Sequence, residues 1–494
     1  MLESLMKGLA NKGHQIDVIS PYPQKKPYPN YTDIAKWATE EYVNNVTYEF
    51  VQVLAGSNPK IFATLFGSNI CEAHLGNPVI QKLVRDPPKD PPYDAMIMEV
   101  RNNSLVLMKG LISKGHQVDI ISPFPQKKPY SNYTDIANLT APISFTNNMT
   151  YEFIVQVLGS IPWTSSATSY GNDICEAHLG NPVIQKLVRD PPKDPPYDAM
   201  IMEVFGAHCF TVIADLLNIS LIGVSTTTLY PWLHELIAQP ENLAFVPNNR
   251  LNVEFPMNLW QRTHNVFSFL YSKLYFNYHT RMQDDLVRMY FGPNLPSVQK
   301  MKLALFLVNS HIALHGIQPM TPAVIQIGGI HIRDDDSLLP QELKKWLDDS
   351  KDGFVYFTFG SMVLIETFPR KILDVFYASL DKIAPVRVLM KVPNPKKLPA
   401  GLPKNIRTFS WLPQLKVLKH PNIRAFITHG GLMSILEAIF CGVPMIGVPL
   451  FADQFKNVET SITRNVAVKL DVHKVTVKDM DAALNAILHD PRYM

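Results

Sequence analysis

Residues 411–454 hold side chains whose types and order suit the parts of a phosphorylated ligand. A strand-like run ends at His429, and Gly430 and Gly431 then allow the backbone to approach a ligand closely before a predicted helix over residues 432–440. The unpaired amides and the positive dipole end at such a helix start attract an anion, so we expect a diphosphate there. His429 could add a hydrogen bond or a charge to a departing phosphate.

The remaining polar residues of this stretch suit the other parts of a nucleotide sugar. Ser434 and Glu437 are three positions apart, so a helix places both on one face. Glu437 could accept hydrogen bonds from two ribose hydroxyls, while Ser434 lies near the phosphates. Trp411 offers a flat face for a base, and Asp453 with Gln454 follows a strand end where sugar hydroxyls could lie. Each residue alone could instead belong to a core or a turn, so the signal is their order and spacing.

Alternating short strands and helices must position these side chains. The stretch from residue 105 shows helical spacing of apolar residues, stops at Gly115 and continues into the strand-like QVDIISP. Further apolar strand patterns follow at residues 198–204, 220–224, 354–359, 386–391, 406–409, 425–428 and 445–448. Such βα alternation predicts an α/β fold of two Rossmann-like domains with parallel sheets.

A duplication precedes these domains. The segment GHQIDVIS from Gly13 recurs as GHQVDIIS from Gly115, and residues 70–100 recur without change at residues 174–204. Two copies are too few for a solenoid, and only the second copy continues into the rest of the chain. We therefore predict three parts, which are a surplus partial copy (1–104), a first Rossmann-like domain (105–334) and a second Rossmann-like domain (335–494).

The motifs together closely resemble family 1 UDP-glycosyltransferases, most of all the insect ecdysteroid glucosyltransferase-like members. The resemblance rests on GHQVDIISPFPQKKP, FGAHCF, IGGIHI, FGSM, FITHGGLMS and GVPLFADQ. It implies a GT-B pair of Rossmann-like domains, with an N-terminal acceptor-binding domain at residues 105–334 and a C-terminal UDP-sugar-binding domain at residues 335–494. It also implies inverting transfer of a hexose, with glucose expected, to a hydroxyl of a small lipophilic acceptor, without a metal or other cofactor. It also implies the donor contacts, namely uracil stacked on Trp411 with Gln414 beside it, diphosphate at Ser361 and His429, ribose on Glu437, and the transferred sugar on Asp453 and Gln454. From the residues themselves, we add Gly430, Gly431 and Ser434 to the donor-binding residues near the diphosphate.

The resemblance has a gap at the catalytic base. The family uses a histidine, held by an acid, in the loop between the first strand and the first helix, and neither copy has it. Arg101, Asn102 and Asn103 stand where the first strand and its histidine are expected. The acidic partner matches Glu203, and His208, just beyond the same predicted strand, is a candidate replacement for the base.

The duplication suggests how the missing first strand could be replaced. Residues 94–100 (DAMIMEV) directly precede the helical pattern that begins at Leu105, which is β-loop-α order. We therefore hypothesise that this strand from the first copy pairs beside residues 117–122.

Composition excludes some classes of protein. A net charge of +3 from 46 basic and 43 acidic residues, without a long run of one sign, gives no nucleic-acid footprint. Cys71, Cys175, Cys209 and Cys441 lack CxxC or Cys/His ligand spacing, so we expect buried free thiols rather than disulfides or a zinc site. The aromatic and methionine content of residues 210–290 agrees with an apolar acceptor pocket.

The cellular location is implied by the family. No signal peptide and no apolar run of spanning length is visible, so we expect a soluble chain whose complete relatives are anchored at the lumenal side of the endoplasmic reticulum membrane. Seven NxS/T sequons agree with a lumenal history, at Asn30, Asn45, Asn102, Asn132, Asn138, Asn148 and Asn218.

Two other functions remain open. The missing histidine favours an inert, truncated chain that binds a UDP-sugar and at most pairs with full-length relatives. A nucleotide-sugar epimerase of similar two-domain build is the second alternative, and it would release UDP without an acceptor. In each case the expected small-molecule partner is a UDP-sugar.

Overall fold

The computed structural model describes residues 16–20, 31–36, 95–98, 105–122, 131–139, 149–158, 163–193, 196–248, 251, 256–332 and 339–493. The chain divides into two compact units, Met1–Pro92 and Tyr93–Met494. In the first unit, the described strands are β1 (Ile16–Ser20) and β2 (Tyr31–Lys36), which pair in parallel. The predicted boundary between residues 104 and 105 stays a prediction.

The second unit holds two parallel sheets. The first has the order β5-β4-β3-β6-β7-β8-β9. Its strands are β3 (Ala95–Met98), β4 (Val118–Ser122), β5 (Tyr133–Asn138), β6 (Ala199–Glu203), β7 (Ser220–Ser225), β8 (Leu305–Val308) and β9 (Val324–Gln326). The predicted α/β fold is confirmed, because helices connect these parallel strands.

Strand β3 is the replacement that the sequence suggested. It pairs in parallel with β4, where Ile97 lies opposite Ile120, and with β6, where Ile97 lies opposite Ile201. The AMIM of the first copy therefore lies beside the identical AMIM of the second copy in the same register. Counted from β3, the strand order begins 3-2-1-4-5-6, which is the order of a dinucleotide-binding sheet. The hypothesis of a substituted first strand is confirmed.

The second sheet has the order β12-β11-β10-β13-β14-β15 and repeats the same winding. Its strands are β10 (Phe354–Thr358), β11 (Arg387–Lys391), β12 (Ile406–Phe409), β13 (Ile423–Thr428), β14 (Met445–Gly447) and β15 (Ala467–Lys469). All five residues of β10 are buried, as expected for an apolar central strand covered on both faces. The strands predicted between residues 354 and 448 are confirmed.

The helices of the first domain are α1 (Leu105–Ser113), α2 (Tyr151–Phe153), α3 (Trp163–His178), α4 (Pro182–Arg189), α5 (Val212–Leu216), α6 (Leu259–His279), α7 (Arg281–Phe291) and α8 (Ile312–His315). Those of the second domain are α9 (Gln341–Asp348), α10 (Arg370–Lys382), α11 (Gln414–Leu418), α12 (Leu432–Phe440), α13 (Gln454–Thr463) and α14 (Val477–His489). Within the described residues, none of these helices combines the length and the hydropathy needed to cross a bilayer.

A disulfide corrects the expectation of free thiols. Cys175 on α3 is bonded to Cys209 in the 3-10 turn that precedes α5, and both are completely buried. The prediction was wrong because the partners are 34 positions apart and only the packing of α3 against that turn brings them together. Cys441 is not part of a disulfide, and Cys71 lies outside the described residues.

One segment of the first domain is built into the second. Met149 forms a backbone bridge to Val363, and its amide donates to the carbonyl of Met362 at 2.8 Å. The Tyr151 amide donates to Thr367 Oγ1, and the Tyr151 ring lies 4.8 Å from the Phe368 ring, measured between centroids. These contacts link the two domains of this unit.

Candidate active site

His429 lies in a slot between two glycines. It follows β13 directly, and a Cβ atom added to Gly360 would lie 2.7 Å from its Cε1 atom. A Cβ added to Gly431 would lie 2.9 Å from the same atom, so neither position tolerates a side chain while the imidazole keeps its place. Gly430 has a φ of +87°, a conformation that favours glycine and turns the chain toward α12.

The imidazole of His429 is held neutral. Burial and the nearby positive charge of Lys391 lower the pKa of His429 to about 4. Its Nδ1 atom is buried and has no hydrogen-bond partner among the described residues. At neutral pH the ring can therefore donate one hydrogen bond to a ligand but brings no charge of its own.

The start of α12 is open to a ligand. Gly431 is its N-cap residue and supplies no capping side chain, so the first amides of this helix lack an intrahelical or side-chain acceptor. The end of β10 lies beside the end of β13 in the sheet, which brings Gly360 and the exposed Ser361 to the same edge. This is the point where the strand order reverses, which is where ligands bind in such sheets.

Gln414 joins the two polar residues of α12. Its Nε2 atom donates to Ser434 Oγ at 2.9 Å and to Glu437 Oε2 at 2.8 Å. The predicted placement of Ser434 and Glu437 on one helix face agrees with this geometry. Burial raises the pKa of Glu437, and the hydrogen bond from Gln414 opposes that rise.

His331 is a member of the site that sequence reasoning missed. Its Nε2 atom lies 3.2 Å from the Met433 carbonyl oxygen and 3.5 Å from Glu437 Oε1. Burial lowers the pKa of His331, so the neutral ring acts as a hydrogen-bonding group. His331 belongs to the quoted IGGIHI motif, which was the available signal, but the motif alone did not indicate the contact with Glu437.

Lys391 is a second residue that the sequence did not single out. Its Nζ atom donates to the Gly360 carbonyl at 2.9 Å and lies 4.6 Å from the centroid of the Trp411 ring. Trp411 is 69% exposed, so one face of its ring is available for stacking. Burial lowers the pKa of Lys391.

Asp453 and Gln454 begin α13 and have different surroundings. Gln454 is buried, and its Oε1 atom accepts the backbone amides of Leu450 and Phe451 at 2.9 and 3.1 Å. Asp453 is half-buried, and its Oδ2 atom accepts from Asn457 Nδ2, which also donates to the Gly430 carbonyl. Asn457 therefore ties the proposed sugar position to the glycine turn.

The two candidate catalytic residues of the first domain, Glu203 and His208, have different surroundings. Glu203 ends β6, is 5% exposed, and accepts a hydrogen bond from Thr226 Oγ1 at 3.0 Å. His208 is completely buried, its ring packs 5.1 Å from the ring of Phe276, and burial lowers its pKa to about 4. A base role for His208 stays a prediction, and its complete burial argues against it.

A cavity of about 330 Å³ opens between the two domains. Its walls are the loop at residues 228–248, the segment at 314–319 and α13. Apolar side chains such as Leu243 and Phe245 share it with Asp453. The cavity therefore connects the predicted sugar position to an apolar space in the first domain. Over the residues that the structure describes, no cluster of His, Cys, Asp and Glu has the arrangement of a metal site.

Comparisons with known proteins agree with this geometry. A family model described as UDP-glucoronosyl and UDP-glucosyl transferase matches residues 113–494. UDP-glucosyltransferase 2 of Dactylopius coccus is 31% identical over 397 residues, covering 79% of this chain and 75% of that protein. UDP-glucuronosyltransferase 2B15 of Rattus norvegicus is 28% identical over 417 residues, covering 79% of this chain and 76% of that protein.

Solved structures show the same fold. The structure of Phytolacca americana UGT2 complexed with UDP-2fluoro-glucose and pterostilbene matches with a TM-score of 0.53 at 19% identity, covering 81% of this chain and 91% of that chain. A UDP-glucosyltransferase of Polygonum tinctorium capable of glucosylating indoxyl matches with the same TM-score at 18% identity, over 82% of this chain and 91% of that one. At this level of identity the likeness concerns the fold, which is the GT-B pair of Rossmann-like domains.

Proposed function

Because the chain belongs to the UDP-glycosyltransferase family, we propose that it transfers a hexose, glucose above all, from a UDP-sugar to a hydroxyl of a small lipophilic acceptor with inversion. The observation that carries the proposal is the cluster of Gln414, Ser434 and Glu437 beside the open start of α12. Carboxylate, hydroxyl and free amides are the groups that a ribose and a diphosphate require.

In this proposal, the donor binds along the edge of the second sheet. Uracil stacks on the exposed face of Trp411, and the carboxylate of Glu437 accepts hydrogen bonds from the ribose hydroxyls. Gln414 and His331 hold that carboxylate from two sides. The diphosphate lies against the first amides of α12, next to His429 and Ser361. Asp453, on the wall of the cavity, accepts hydrogen bonds from the hexose.

The chemical step is a displacement at the anomeric carbon. The acceptor hydroxyl loses its proton to a base as its oxygen attacks, and the bond from the anomeric carbon to the phosphate oxygen breaks with its electron pair leaving on UDP. Donors fixed in advance around the developing negative charge lower the barrier, and the amides of α12 with neutral His429 supply them. Glu203, a buried carboxylate at the end of a central strand of the first sheet, is our candidate for the acid that supports the base.

The acceptor occupies the cavity between the domains. Its volume of about 330 Å³ suits a small molecule, and its lining by Leu243 and Phe245 suits an apolar one. Asp453 lies on its wall, so an acceptor hydroxyl at that end would reach the sugar. In this proposal, Asp453 therefore lies between the hexose of the donor and the hydroxyl of the acceptor.

The test is UDP release from UDP-glucose and from UDP-glucuronate, with and without a panel of lipophilic alcohols and phenols, alongside calorimetric UDP binding. We expect acceptor-dependent release that is faster with UDP-glucose, and a Glu437→Ala protein that binds UDP about tenfold or more weakly because a buried hydrogen-bonding group is lost. Binding without release would indicate an inert UDP-sugar-binding chain. Release without acceptor would favour epimerase-type chemistry, and absence of UDP binding would refute the proposal.

We also propose that the chain resides in the lumen of the endoplasmic reticulum. The Cys175–Cys209 disulfide is typical of an oxidising compartment. The sequon residues Asn132 and Asn218 are exposed, so both are accessible to glycosylation. Expression in insect cells followed by endoglycosidase treatment should increase gel mobility for the wild type and leave an Asn132→Gln/Asn218→Gln protein less affected. A wild-type chain without any glycan would contradict this location.

A further inference from the structure

One helix of the second domain runs along the cavity between the domains from end to end. Helix α13 (Gln454–Thr463) has Asp453 as its N-cap residue and Arg464 as its C-cap residue, and both line the cavity. At the usual rise per residue they are about 16 Å apart along the helix axis. The two ends of this wall therefore carry side chains of opposite charge. We call the end at Arg464 the distal end of the cavity.

The side chains between the two ends of this wall are polar. The lining residues of α13 include Asn457 and Thr460. At 100° per residue, these two fall with Asp453 and Arg464 within about 60° of one another around the helix axis. All four therefore share one face of α13. A ligand that lies along this face can extend from the proposed hexose position to the distal end.

Arg464 has hydrogen-bond donors available for a ligand. Its Nε and Nη2 atoms each lie 3.4 Å from the carbonyl oxygen of Leu314, and no carboxylate of the described residues forms an ion pair with it. A guanidinium has five N–H donors and keeps its charge at every pH that proteins tolerate. Its planar fork matches a carboxylate, which can accept two of these hydrogen bonds at once. The side chain is exposed, so a ligand in the cavity can reach it.

The distal end has a positive electrostatic potential. His315 of α8 lines the cavity next to Leu314. Burial lowers the pKa of His315 to about 4, and the positive charges of Lys456 and Arg464 lower it further. The acidic residue Glu241, which also lines the cavity, is paired with a lysine at 3.0 Å. An anionic group is therefore attracted to the distal end and repelled from the opposite one.

We propose that the acceptor is an elongated lipophilic molecule with a hydroxyl at one end and a carboxylate at the other, and that Arg464 binds the carboxylate at the distal end. This assignment rests on the proposed function, because it takes Asp453 to mark the place where the acceptor hydroxyl meets the hexose. Leu243 and Phe245 provide apolar lining for the chain of such a molecule. One singly charged carboxylate matches the single guanidinium.

Stabilisation of α13 alone does not account for this arrangement. A negative residue at the start of a helix and a positive residue at its end complement the dipole of any helix. That effect is the same whatever lies beside the helix, whereas Asp453 and Arg464 both line one cavity. A ligand with a neutral end next to a carboxylate and an anionic end next to a guanidinium has its orientation fixed by these charges.

The experiment compares ω-hydroxydodecanoate with its methyl ester, which has the same chain and no charge. Calorimetric titration of the full chain, saturated with UDP, measures the affinity for each compound, so the result does not depend on turnover. We expect the acid to bind at least about fivefold more tightly, because it adds charged hydrogen bonds to Arg464. Added salt should reduce this preference, since the guanidinium is exposed.

Turnover with UDP-glucose tests the distance between the two ends. ω-Hydroxydodecanoate should have a higher kcat/KM than its ester. ω-Hydroxyhexanoate should be no better than its own ester, because a short acid bound at Arg464 leaves its hydroxyl away from Asp453. An equal advantage for the short acid would contradict the extended placement along α13.

Matched variants locate the carboxylate. Arg464→Gln keeps a hydrogen-bonding side chain without the charge, so this protein should bind the long acid and its ester about equally. Arg464→Lys keeps the charge and loses the fork, so part of the preference should remain. Arg189→Gln removes an exposed arginine of α4 that does not line the cavity, and it should leave the preference unchanged. UDP affinity and the thermal midpoint should stay at the wild-type values in all three proteins.

The outcomes separate the acceptor class from the transfer reaction. Acceptor-dependent UDP release with equal affinity for acid and ester would overturn the anionic acceptor and leave the proposed function intact. An unchanged preference in the Arg464→Gln protein, or no binding of either compound, would also overturn it. A chain that prefers the acid through Arg464 but releases no UDP would support the carboxylate site and refute the proposed transfer.

Discussion

At the scale of single residues, the proposed donor site depends on two glycines that leave room for one imidazole. Gly431 has an ordinary backbone conformation, so alanine there is excluded only by the 2.9 Å approach to His429 Cε1. We expect Gly431→Ala to displace the imidazole and to weaken UDP binding about tenfold, since one fixed hydrogen-bond donor is lost. Calorimetric titration with UDP measures the change.

The matched control introduces Gly431→Ala into a protein that already lacks the imidazole of His429. In a His429→Ala protein the added methyl group has space, so Gly431→Ala should have almost no further effect on UDP affinity. Additive losses in the double variant would show that Gly431 acts through the backbone of α12 and not through His429.

Lys391 provides the second prediction at this scale. Its ammonium group is buried between the Gly360 carbonyl and the Trp411 ring, next to the expected diphosphate. Lys391→Met removes the charge and keeps much of the apolar stem, so UDP affinity should fall about tenfold while uridine affinity changes much less. Lys391→Arg should preserve most of the UDP affinity. Equal losses for UDP and uridine would mean that Lys391 serves only to orient Trp411.

The residues of the proposed donor site differ in how far the sequence predicts them. Ser434 and Glu437 share a helix face because of their spacing, and their common contact with Gln414 agrees with the family pattern. His331 and Lys391 belong to other strands and loops, and no local pattern indicates which distant carboxylate or ring they contact. Their placement depends on the tertiary fold, which a local pattern does not encode.

At the scale of elements, β3 is the part on which the first sheet depends. It lies between β4 and β6 and pairs with both, so its loss would leave two rows of buried backbone groups unpaired. A chain that begins at residue 93 keeps β3 and should remain soluble with a cooperative thermal transition. A chain that begins at residue 105 lacks β3 and should aggregate or melt at a much lower temperature.

Thermal melting and size-exclusion chromatography of the two truncated chains provide the comparison. They differ by twelve residues only, so a difference between them is attributable to β3 and the loop that follows it. Equal stability of the two chains would mean that another segment can take the position between β4 and β6.

The sequence predicted individual strands better than it predicted which distant residues contact each other. Apolar runs such as FVYFT identified buried strands, and the order of a strand before Leu105 identified β3, because both are local patterns. The expectation for Cys175 and Cys209 was wrong because nothing in their spacing reports that α3 packs on the turn that carries Cys209. Long-range packing decides such a pairing.

At the scale of the whole molecule, the second unit joins two sheets through a few specific contacts and keeps a cavity between them. Met149 and Tyr151 reach from the first domain into the core of the second, while α13 and the loop at residues 228–248 leave the cavity open. Asp453 from the second domain and apolar side chains such as Leu243 and Phe245 from the first therefore line the same cavity. The proposed transfer reaction requires such a space, because both substrates must meet at one carbon atom.

Buried histidines in both domains make the stability of this unit depend on pH. Burial lowers the pKa of His208, His234, His315 and His429 to about 4 in each case. Unfolded histidine titrates near 6.5, so between these values the unfolded chain binds more protons than the folded one. These histidines therefore cost the folded state no stability above about pH 6.5. As the pH drops toward 4, the free energy of unfolding falls by more than about 1 kcal/mol for each such histidine.

Thermal midpoints measured from pH 7 to pH 4 should therefore decrease steadily, before most carboxylates are protonated. His208→Phe keeps a ring against Phe276 and removes the titrating group, so the midpoint should decline less steeply with acid than that of the wild type. His264→Gln is the control, because His264 is exposed on α6 and the decline should be unchanged. An unchanged slope in the His208→Phe protein would show that acid destabilises the fold through other groups, with carboxylates such as Glu203 and Glu437 the next to test.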